Sequence, residues 1–295
     1  GLIVAERRRR RTRQRYSAKE IGLALLLLAP SIAVFVAFFY RPFLNLLNWG
    51  TFESRQGGAF FEDVGLSQYR EQLTSDDFRE GLWHTLEFVL YTVPAGLVLG
   101  VLLAVAAHRR LKGIKVFQTM FSSTLASSTA VTSVIFFFLI NPVIGVWPLD
   151  WLNDPDRAMY AVAIPSIWQN LGLSFIIVLA GLQAVPDEVM EAATLDGYGP
   201  VRRLLRITLP LISPVLLFLL VVLVIFGFQA FAQIDILTKG GPAAATETLV
   251  FKINRLNRPD NIGIGAVYSV GLFFITLAVT ALQFVILERR VHYAR

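Results

Sequence analysis

The stretch EAATLDGYGPVRRLLRITLP, residues Glu191–Pro210, is a polar and charged island between two apolar stretches of the chain. A helix that crosses a bilayer needs about 20 mostly apolar residues, and the stretches on either side of the island have that character. The island carries charges of both signs and two glycines, so it is unsuited to cross. We therefore expect it to lie at the membrane surface between two spans, and its position decides how the rest of the chain is arranged.

Local signals divide this segment into two short helices that meet in an elbow. Pro186 and the two acidic residues after it predict a helix start, because acidic side chains offset the positive end of the helix dipole. Gly197 predicts its end, because glycine most readily takes the left-handed conformation beyond a helix. We expect one helix over about 187–196 and a second from Pro200. Helices this short are marginal in water, so they must pack on something.

The rest of the chain has the composition of a membrane protein. It has 295 residues and is 55% hydrophobic and 16% charged, with a mean hydropathy of +0.59, whereas soluble domains carry about 25% charged residues. Six continuous apolar windows predict transmembrane helices rather than the short alternating strands of a barrel. They cover about 21–40, 83–107, 116–140, 159–183, 211–233 and 265–287. We expect an all-α membrane protein, a bundle of six transmembrane helices.

The positive charge of the chain is placed asymmetrically. The net charge of +6 would by itself suggest a nucleic-acid partner. However, 18 of the 27 Lys and Arg residues lie in segment 1–20, after residue 287 and in the two connections holding 108–115 and 186–210. The positive-inside rule then places both termini in the cytoplasm of an inner (plasma) membrane protein. We expect segment 1–20 to bind membrane lipid and not nucleic acid, with a transmembrane domain over 21–290 and a cytoplasmic tail over 291–295.

The longest outer connection, 41–82, predicts a small ordered cap on the bundle. Its stretch VGLSQYREQL has the character of a short helix, and TSDDFREGLWHTLEFV begins a helix that leads into the second span. Pro30, Pro94 and Pro165 fall in or beside spans, where bundles tolerate proline as long as neighbouring groups satisfy the freed carbonyls. They indicate either helix shape or hinges of a moving pathway.

The chain lacks the residues for several kinds of chemistry. It has no cysteine, and no G-x-x-x-x-G-K-[S/T] loop that could cradle the phosphates of ATP. His84, His108 and His292 lie at span ends without the spacing of a metal site. We expect no metal, no cofactor and no catalytic residue on this chain.

Polar residues within the predicted spans are candidates for a solute path. Amide groups beside an aromatic ring suit hydroxyl-rich ligands, and Glu87 is an acidic group within a span, about one turn from its outer end. Gln229 and Gln233 are four residues apart, so we expect them to share one helix face. The alternative is that these amides join helices to one another. The candidates are Glu87, Tyr91, Gln169, Asn170, Ser174, Gln229 and Gln233.

Charged solutes would need a cation that the spans do not supply. No Lys or Arg lies within a predicted span, so the charge of a phosphate would be met by a partner chain or by loop residues such as Lys239 and Lys252. Sugars and glycerol phosphates both remain open as solutes.

The elbow has the features of a docking surface. Ala192 and Ala193 lack bulk, so a partner backbone could come close, and Glu191 beside them supplies an acceptor for an Arg or Ser. A purely structural elbow is the alternative. In the second helix the apolar residues lie at helical spacing opposite three arginines, and we expect them to face the bundle. They are Val201, Leu204, Leu205 and Ile207.

The spacing of the island resembles the cytoplasmic loop of the membrane subunits of ATP-binding-cassette importers. The pattern is Glu191-Ala192-Ala193, three residues, Gly197, nine residues, Ile207, one residue and Leu209-Pro210. The flanking motifs are similar to the carbohydrate-uptake branch, and most of all to the first permease subunit of disaccharide and glycerol-3-phosphate importers. They are WQNLG at 168–172, GLQAVP at 181–186, LTKGGP at 237–242 and LERRVHY at 287–293.

This resemblance implies a fold, partners and a role for the island. In that family the loop forms a coupling helix that fits a groove on an ATPase subunit, which binds ATP and Mg. The implied partners are a second permease subunit, two ATPase subunits and an extracytoplasmic solute-binding protein. The coupling residues would be Glu191, Ala192, Ala193, Asp196, Gly197 and Pro200 within a loop over 186–210.

Two other functions remain possible from the residues alone. A membrane-embedded transferase would call for clustered His, Asp or Glu at span ends, and a stand-alone proton-coupled carrier for carboxylates in more than one span. The sequence has only scattered acids.

Overall fold

The computed structural model describes residues 18–108 and 114–287. The predictions for most of the basic N-terminal arm, for loop residues 109–113 and for the tail 291–295 fall outside the described residues. The described chain divides into two compact units, one ending at Asn48 and the other beginning at Trp49.

The first unit is a single apolar helical run. Helix α1 (Ala18–Phe35) continues through a π-helical turn (Val36–Tyr40) into α2 (Arg41–Trp49). Pro30 lies inside α1, which continues past it. The run is long and apolar enough to cross a membrane, and it extends beyond the predicted end of the first span at residue 40.

A small cap opens the second unit. Strands β1 (Phe52–Arg55) and β2 (Phe60–Asp63) pair antiparallel, and Gly57 and Gly58 form the turn with positive φ angles. Helix α3 (Ser67–Leu73) follows. The helix was predicted, but the hairpin was not, although a Gly-Gly pair between two runs of extended, aromatic-containing sequence is a hairpin signal.

The core of the second unit is the pair of long helices α4 (Asp76–Ala107) and α7 (Ala158–Gln183). Small residues let the two backbones approach, as is usual between helices in membranes. A Cβ at Gly100 would lie only 2.4 Å from the Cβ of Ser174. Both helices continue through their prolines, Pro94 and Pro165.

Two predicted spans are bent instead of straight. Helix α5 (Ile114–Ser122), extended by a 3-10 turn, meets α6 (Thr129–Ile140) at an angle of 105°. The helical segment that ends with α10 (Leu209–Leu211) meets α11 (Ser213–Phe228) at 74°. Over the described residues, four helices are long and apolar enough to cross a membrane, or six if each bent pair is one span.

The remaining helices complete the loops and the last span. Before α10 come α8 (Asp187–Leu195), α9 (Pro200–Arg203) and a π-helical turn (Leu204–Thr208). After α11 come α12 (Ala232–Leu237), α13 (Leu249–Arg255) and α14 (Ile262–Leu287). The prediction of a helical membrane bundle is confirmed. The fifth span was predicted too long, because α11 ends at Phe228 and not at residue 233.

Candidate functional site

A cavity of about 500 Å³ lies among α4, α6, α7, α11 and α12. Four of the predicted path residues line it, namely Gln169, Asn170, Gln229 and Gln233. The described lining contains no Asp, Glu, Lys or Arg, so it offers amides, hydroxyls, aromatic rings and aliphatic groups. Its other residues are Phe88, Thr92, Leu125, Thr129, Ser166, Leu173, Phe226, Gly227, Ala230, Phe231 and Ala232.

The first wall of the cavity is the break between α5 and α6. Ser128 has an extended backbone and caps α6, accepting a hydrogen bond from the Val131 amide at 3.3 Å. The break frees the carbonyl of Ser127, which accepts from Gln169 Nε2 on α7 at 2.8 Å. A freed carbonyl inside a membrane needs such a partner. Sequence reasoning missed this break and the lining residue Thr129, although the Ser/Thr-rich run 122–129 was a signal, since such hydroxyls compete with helical hydrogen bonds.

The second wall is the break between α11 and α12. Gln229 follows the end of α11, and Phe231, with φ −138° and ψ −59°, precedes α12. The expectation that Gln229 and Gln233 share a face of one helix is therefore wrong, because the helix ends between them. Both side chains nevertheless line the same cavity. Broken helices commonly form the binding sites of transport proteins, because their ends expose polar backbone groups.

The four cavity amides divide into two tethered and two free side chains. Gln169 Nε2 is bonded to Ser127, as described above, and Gln233 Nε2 donates to Ser166 Oγ at 2.9 Å. These two join helices. Asn170 and Gln229 make no side-chain hydrogen bond within the described residues. Gln229 is exposed and Asn170 is half-buried at the cavity, so their amides can donate to and accept from the hydroxyls of a ligand.

Three other predicted path residues are absent from the cavity lining. Ser174 is fully buried at the crossing of α7 with Gly100, and its Oγ has no partner in the described structure. Glu87 accepts a hydrogen bond from Tyr91 at 2.8 Å, and Tyr91 stacks on Tyr160 with ring centroids 4.5 Å apart. Ser174 is thus packed between two helices, and Glu87 and Tyr91 are paired with each other away from this cavity.

The two loop lysines proposed as phosphate partners differ in their surroundings. Lys252 is 1% exposed and its Nζ lies 2.6 Å from Asp77 Oδ1, with Glu80 and Glu247 also within 4 Å. It is therefore already paired and is not available to a solute, which corrects the expectation. Lys239 is exposed and has a positive φ of 51°.

The elbow has the predicted boundaries. Helix α8 covers Asp187–Leu195, and Gly197 has φ +75°. Beyond the helix, the Tyr198 amide donates to the Ala193 carbonyl and the Gly197 amide to the Thr194 carbonyl, each at 3.1 Å. This is the Schellman arrangement that requires a left-handed residue after the helix.

The outer surface of the elbow mixes charged and apolar side chains. Glu191, Ala192, Asp196, Gly197 and Pro200 are exposed, whereas Ala193 is buried. Of the two alanines that were predicted to admit a partner backbone, only Ala192 is therefore accessible to a partner.

An apolar ridge runs beside these charges. Val201 and Leu205 are 70% and 58% exposed, so the expectation that they face the bundle is wrong, while Leu204 and Ile207 are half-buried. Leu195 of α8 is 90% exposed. Arg203 Nη1 donates to Thr194 Oγ1 at 2.7 Å and ties the two arms of the elbow together. Exposed apolar side chains rimmed by charges mark an interaction surface.

Comparison with known proteins agrees with this geometry. Residues 96–293 match the family described as binding-protein-dependent transport system inner membrane component. The chain is 36% identical to the sn-glycerol-3-phosphate transport system permease protein UgpA of Agrobacterium fabrum, over 92% of this chain and 96% of that one. It is 33% identical to the protein of the same name from Escherichia coli (strain UTI89 / UPEC), with the same coverage.

Solved structures share the fold. One is a bacterial alginate importer of the ATP-binding-cassette class in complex with an alginate pentasaccharide-bound periplasmic protein, with a TM-score of 0.80, 21% identity, and coverage of 94% of this chain and 98% of that one. Another structure, of a bacterial transporter for import of the same acidic polysaccharide, has a TM-score of 0.77, 21% identity, and coverage of 92% and 96%. At 21% identity these likenesses establish the fold alone. The chain belongs to the family of inner-membrane permease components of binding-protein-dependent transport systems.

Proposed function

We propose that this permease subunit forms half of the pathway of an ATP-driven importer for a sugar or a glycerol phosphate, and that the elbow couples it to an ATPase. The cavity between the two helix breaks is the observation that carries the proposal. It is neutral, is lined by four amides, and lies on the paired long helices. Relatives named as glycerol-3-phosphate permeases, at 33% and 36% identity, support the choice of solute class.

The residues that line the cavity are better suited to bind the hydroxyl groups of a solute than to bind a charged group. Amides and hydroxyls bond sugar and glycerol hydroxyls in either direction, because each can donate and accept. A phosphate would need Arg or Lys for strong charge-assisted bonds, and the lining supplies neither. The phosphate of a glycerol phosphate would therefore be held by the partner permease, by the binding protein or by Lys239.

The proposed partners are the subunits that the resemblance to this family implies. A second permease subunit would close the open side of the cavity, and an extracytoplasmic solute-binding protein would deliver the solute to the outer loops. Two ATPase subunits would bind ATP and Mg, with one docking on the elbow around Glu191 and Leu195. This chain would bind no cofactor of its own. Neither alternative from the sequence, a stand-alone carrier or a membrane-embedded transferase, is the function of the family.

The solute path is tested by replacing the free and tethered amides separately. In the assembled importer we expect Asn170→Leu and Gln229→Leu to lower solute uptake per complex, because each removes hydrogen bonds of about 0.5–1.5 kcal/mol. ATP hydrolysis stimulated by the binding protein should largely survive, since the elbow is unchanged.

Gln169→Leu is the matched control for these two variants. It leaves the Ser127 carbonyl without its partner. The free energy of unfolding should therefore fall by about 1–3 kcal/mol, and the melting temperature of the complex should fall with it. If Asn170→Leu and Gln229→Leu instead lower only that temperature and keep uptake per complex, the solute contacts lie elsewhere, most simply on the partner permease.

The membrane orientation is tested with single cysteines, because the chain has none of its own. Ser67→Cys and Asn257→Cys lie at exposed positions in the outer connections, and Lys115→Cys lies at the exposed start of α5. With both termini in the cytoplasm, an impermeant thiol reagent should label the first two in intact cells and the third only after permeabilisation. Labelling of Lys115→Cys alone in intact cells would reverse the orientation.

A further inference from the structure

Lys252 of α13 is a buried cation that neither the cavity nor the elbow uses. Its Nζ donates to Asp77 Oδ1 at 2.6 Å, and it lies 3.5 Å from Glu80 Oε2 and 3.6 Å from Glu247 Oε2. Its side chain is 1% exposed, whereas those of Asp77 and Glu80 are about half exposed. A buried ammonium needs such partners, because a charge left unpaired away from water is strongly unfavourable.

The partners of Lys252 come from separate elements of the bundle. Asp77 and Glu80 lie at the start of α4, and Glu247 lies just before α13. Asp77 Oδ2 also accepts a hydrogen bond from Tyr268 OH on α14 at 2.8 Å. The ammonium group therefore joins α13 to α4, and the Asp77 carboxylate that it pairs with joins α4 to α14.

The stem of Lys252 runs along α4 because a glycine leaves room for it. A Cβ at Gly81 would lie 3.0 Å from Lys252 Cδ and 3.1 Å from Leu249 Cδ2. The Leu249 amide donates to Thr85 Oγ1 of α4 at 3.0 Å. The first residue and the middle of the short helix α13 are thus fastened to α4.

The start of α13 contacts the wall of the cavity. Thr248 caps α13, and its Oγ1 donates to the carbonyl of Ala230 at 3.4 Å. Ala230 belongs to the break between α11 and α12, lines the cavity, and directly follows the free amide Gln229. The start of α13 therefore contacts the residue next to Gln229 in this wall.

We propose that Lys252 is a positioning residue for the solute cavity: by fastening α13 to α4, it holds Thr248 against Ala230 and so sets the position of Gln229. The inference rests on the proposed function only in taking the cavity as part of the solute path. It gives the outer helix α13 a role in shaping the cavity without any contact between Lys252 and the solute.

Thiol labelling of the assembled transporter tests this link. Gln229→Cys reports on the wall connected to α13, and Leu125→Cys reports on the same cavity from the 3-10 turn after α5. We expect Lys252→Met to change the labelling rate of Gln229→Cys by roughly threefold or more, as coupled neighbours do, and that of Leu125→Cys by less. Thr248→Val keeps the ion pairs of Lys252 but removes the hydrogen bond from Thr248 Oγ1 to the Ala230 carbonyl. It should change the labelling rate of Gln229→Cys in the same direction.

The outcomes separate positioning from general loosening. An unchanged rate at Gln229→Cys in an intact complex overturns the proposal, and so does an equal change at both reporters. If Lys252→Met does not assemble, Asp77→Asn removes the charge at the shortest contact with little change of volume, and the same two results apply to it. Labelling reads the shape of the cavity and not transport, so a negative result leaves the proposed function standing.

Discussion

Glu191→Lys is expected to leave the transporter assembled while uptake and solute-stimulated ATP hydrolysis fall by roughly tenfold or more, since hydrogen bonds to charged groups contribute about 1.5–3 kcal/mol. Glu191 is exposed beside the exposed Ala192 and lies one helical turn before the exposed Leu195 on α8. A lysine there would repel a basic partner group and leave it unpaired. The measurement is uptake and ATPase activity of the purified complex in lipid vesicles.

The control is a charge reversal of the same size at a position outside the elbow. Glu71→Lys lies on the exposed surface of α3 and changes the net charge equally, so its activity should stay near that of the unmodified chain. Normal uptake by the Glu191→Lys transporter would exclude the elbow as the coupling site, and loss of assembly would assign Glu191 to the interface itself.

Gly172→Ala is expected to destabilise the subunit and to slow transport, because a glycine here lets the α5–α6 break lie against α7. A Cβ at this position would lie 2.2 Å from Thr124 Oγ1 and 2.9 Å from the Phe121 carbonyl. Overpacking of this kind costs about 1–3 kcal/mol. It would also push the Ser127 carbonyl away from Gln169 and distort one wall of the cavity. The melting temperature of the complex and its uptake rate should both fall.

Gly96→Ala is the matched control for this glycine. It lies inside α4 beside the same core, but its Cβ would be 3.5 Å from the nearest atom, an ordinary contact. Alanine should therefore be tolerated there, and its better helix propensity contributes up to about 1 kcal/mol. Thr124→Ala in the Gly172→Ala chain should restore part of the stability by removing the shortest contact. Equal behaviour of the two glycine variants would contradict the packing argument.

The elbow could be predicted almost to the residue because its signals are local. A proline followed by acids starts α8, and a left-handed glycine ends it. These rules act within one turn of helix and need no knowledge of the rest of the fold. The orientation of the second arm, which begins at Pro200, could not be predicted from such local rules. Whether the Val201 side chain faces the bundle depends on helices far away in sequence.

The helix breaks could not be predicted from hydropathy. The mean hydropathy of windows 116–140 and 211–233 predicts a span for each and carries no information on where a helix bends; only the Ser/Thr-rich run 122–129 was a local signal of one break. The breaks exist because other helices satisfy the freed carbonyls, as Gln169 does for Ser127. The amides of the cavity were found as polar residues within spans, but only the tertiary contacts separate the tethered Gln233 from the free Gln229.

Lys252 and the hairpin show two further limits of sequence reasoning. A lysine in a polar loop is expected to be solvated, and this one is buried because Asp77 and Glu80 of the distant helix α4 join the neighbouring Glu247 around its ammonium group. The strands β1 and β2 are each four residues long, too short for a periodic pattern to stand out against the surrounding loop.

The division of the cavity amides into tethered and free pairs has a consequence for how such a permease can diversify. The side chains of Gln169 and Gln233 bond to other segments of the bundle, so a change at either must be compensated elsewhere. The side chains of Asn170 and Gln229 make no such hydrogen bond in the described structure, and neither residue is fully buried. Single substitutions at these two positions can therefore change which solute is carried without disturbing the packing. Descendants of this chain should differ there before they differ at the residues that hold the helices together.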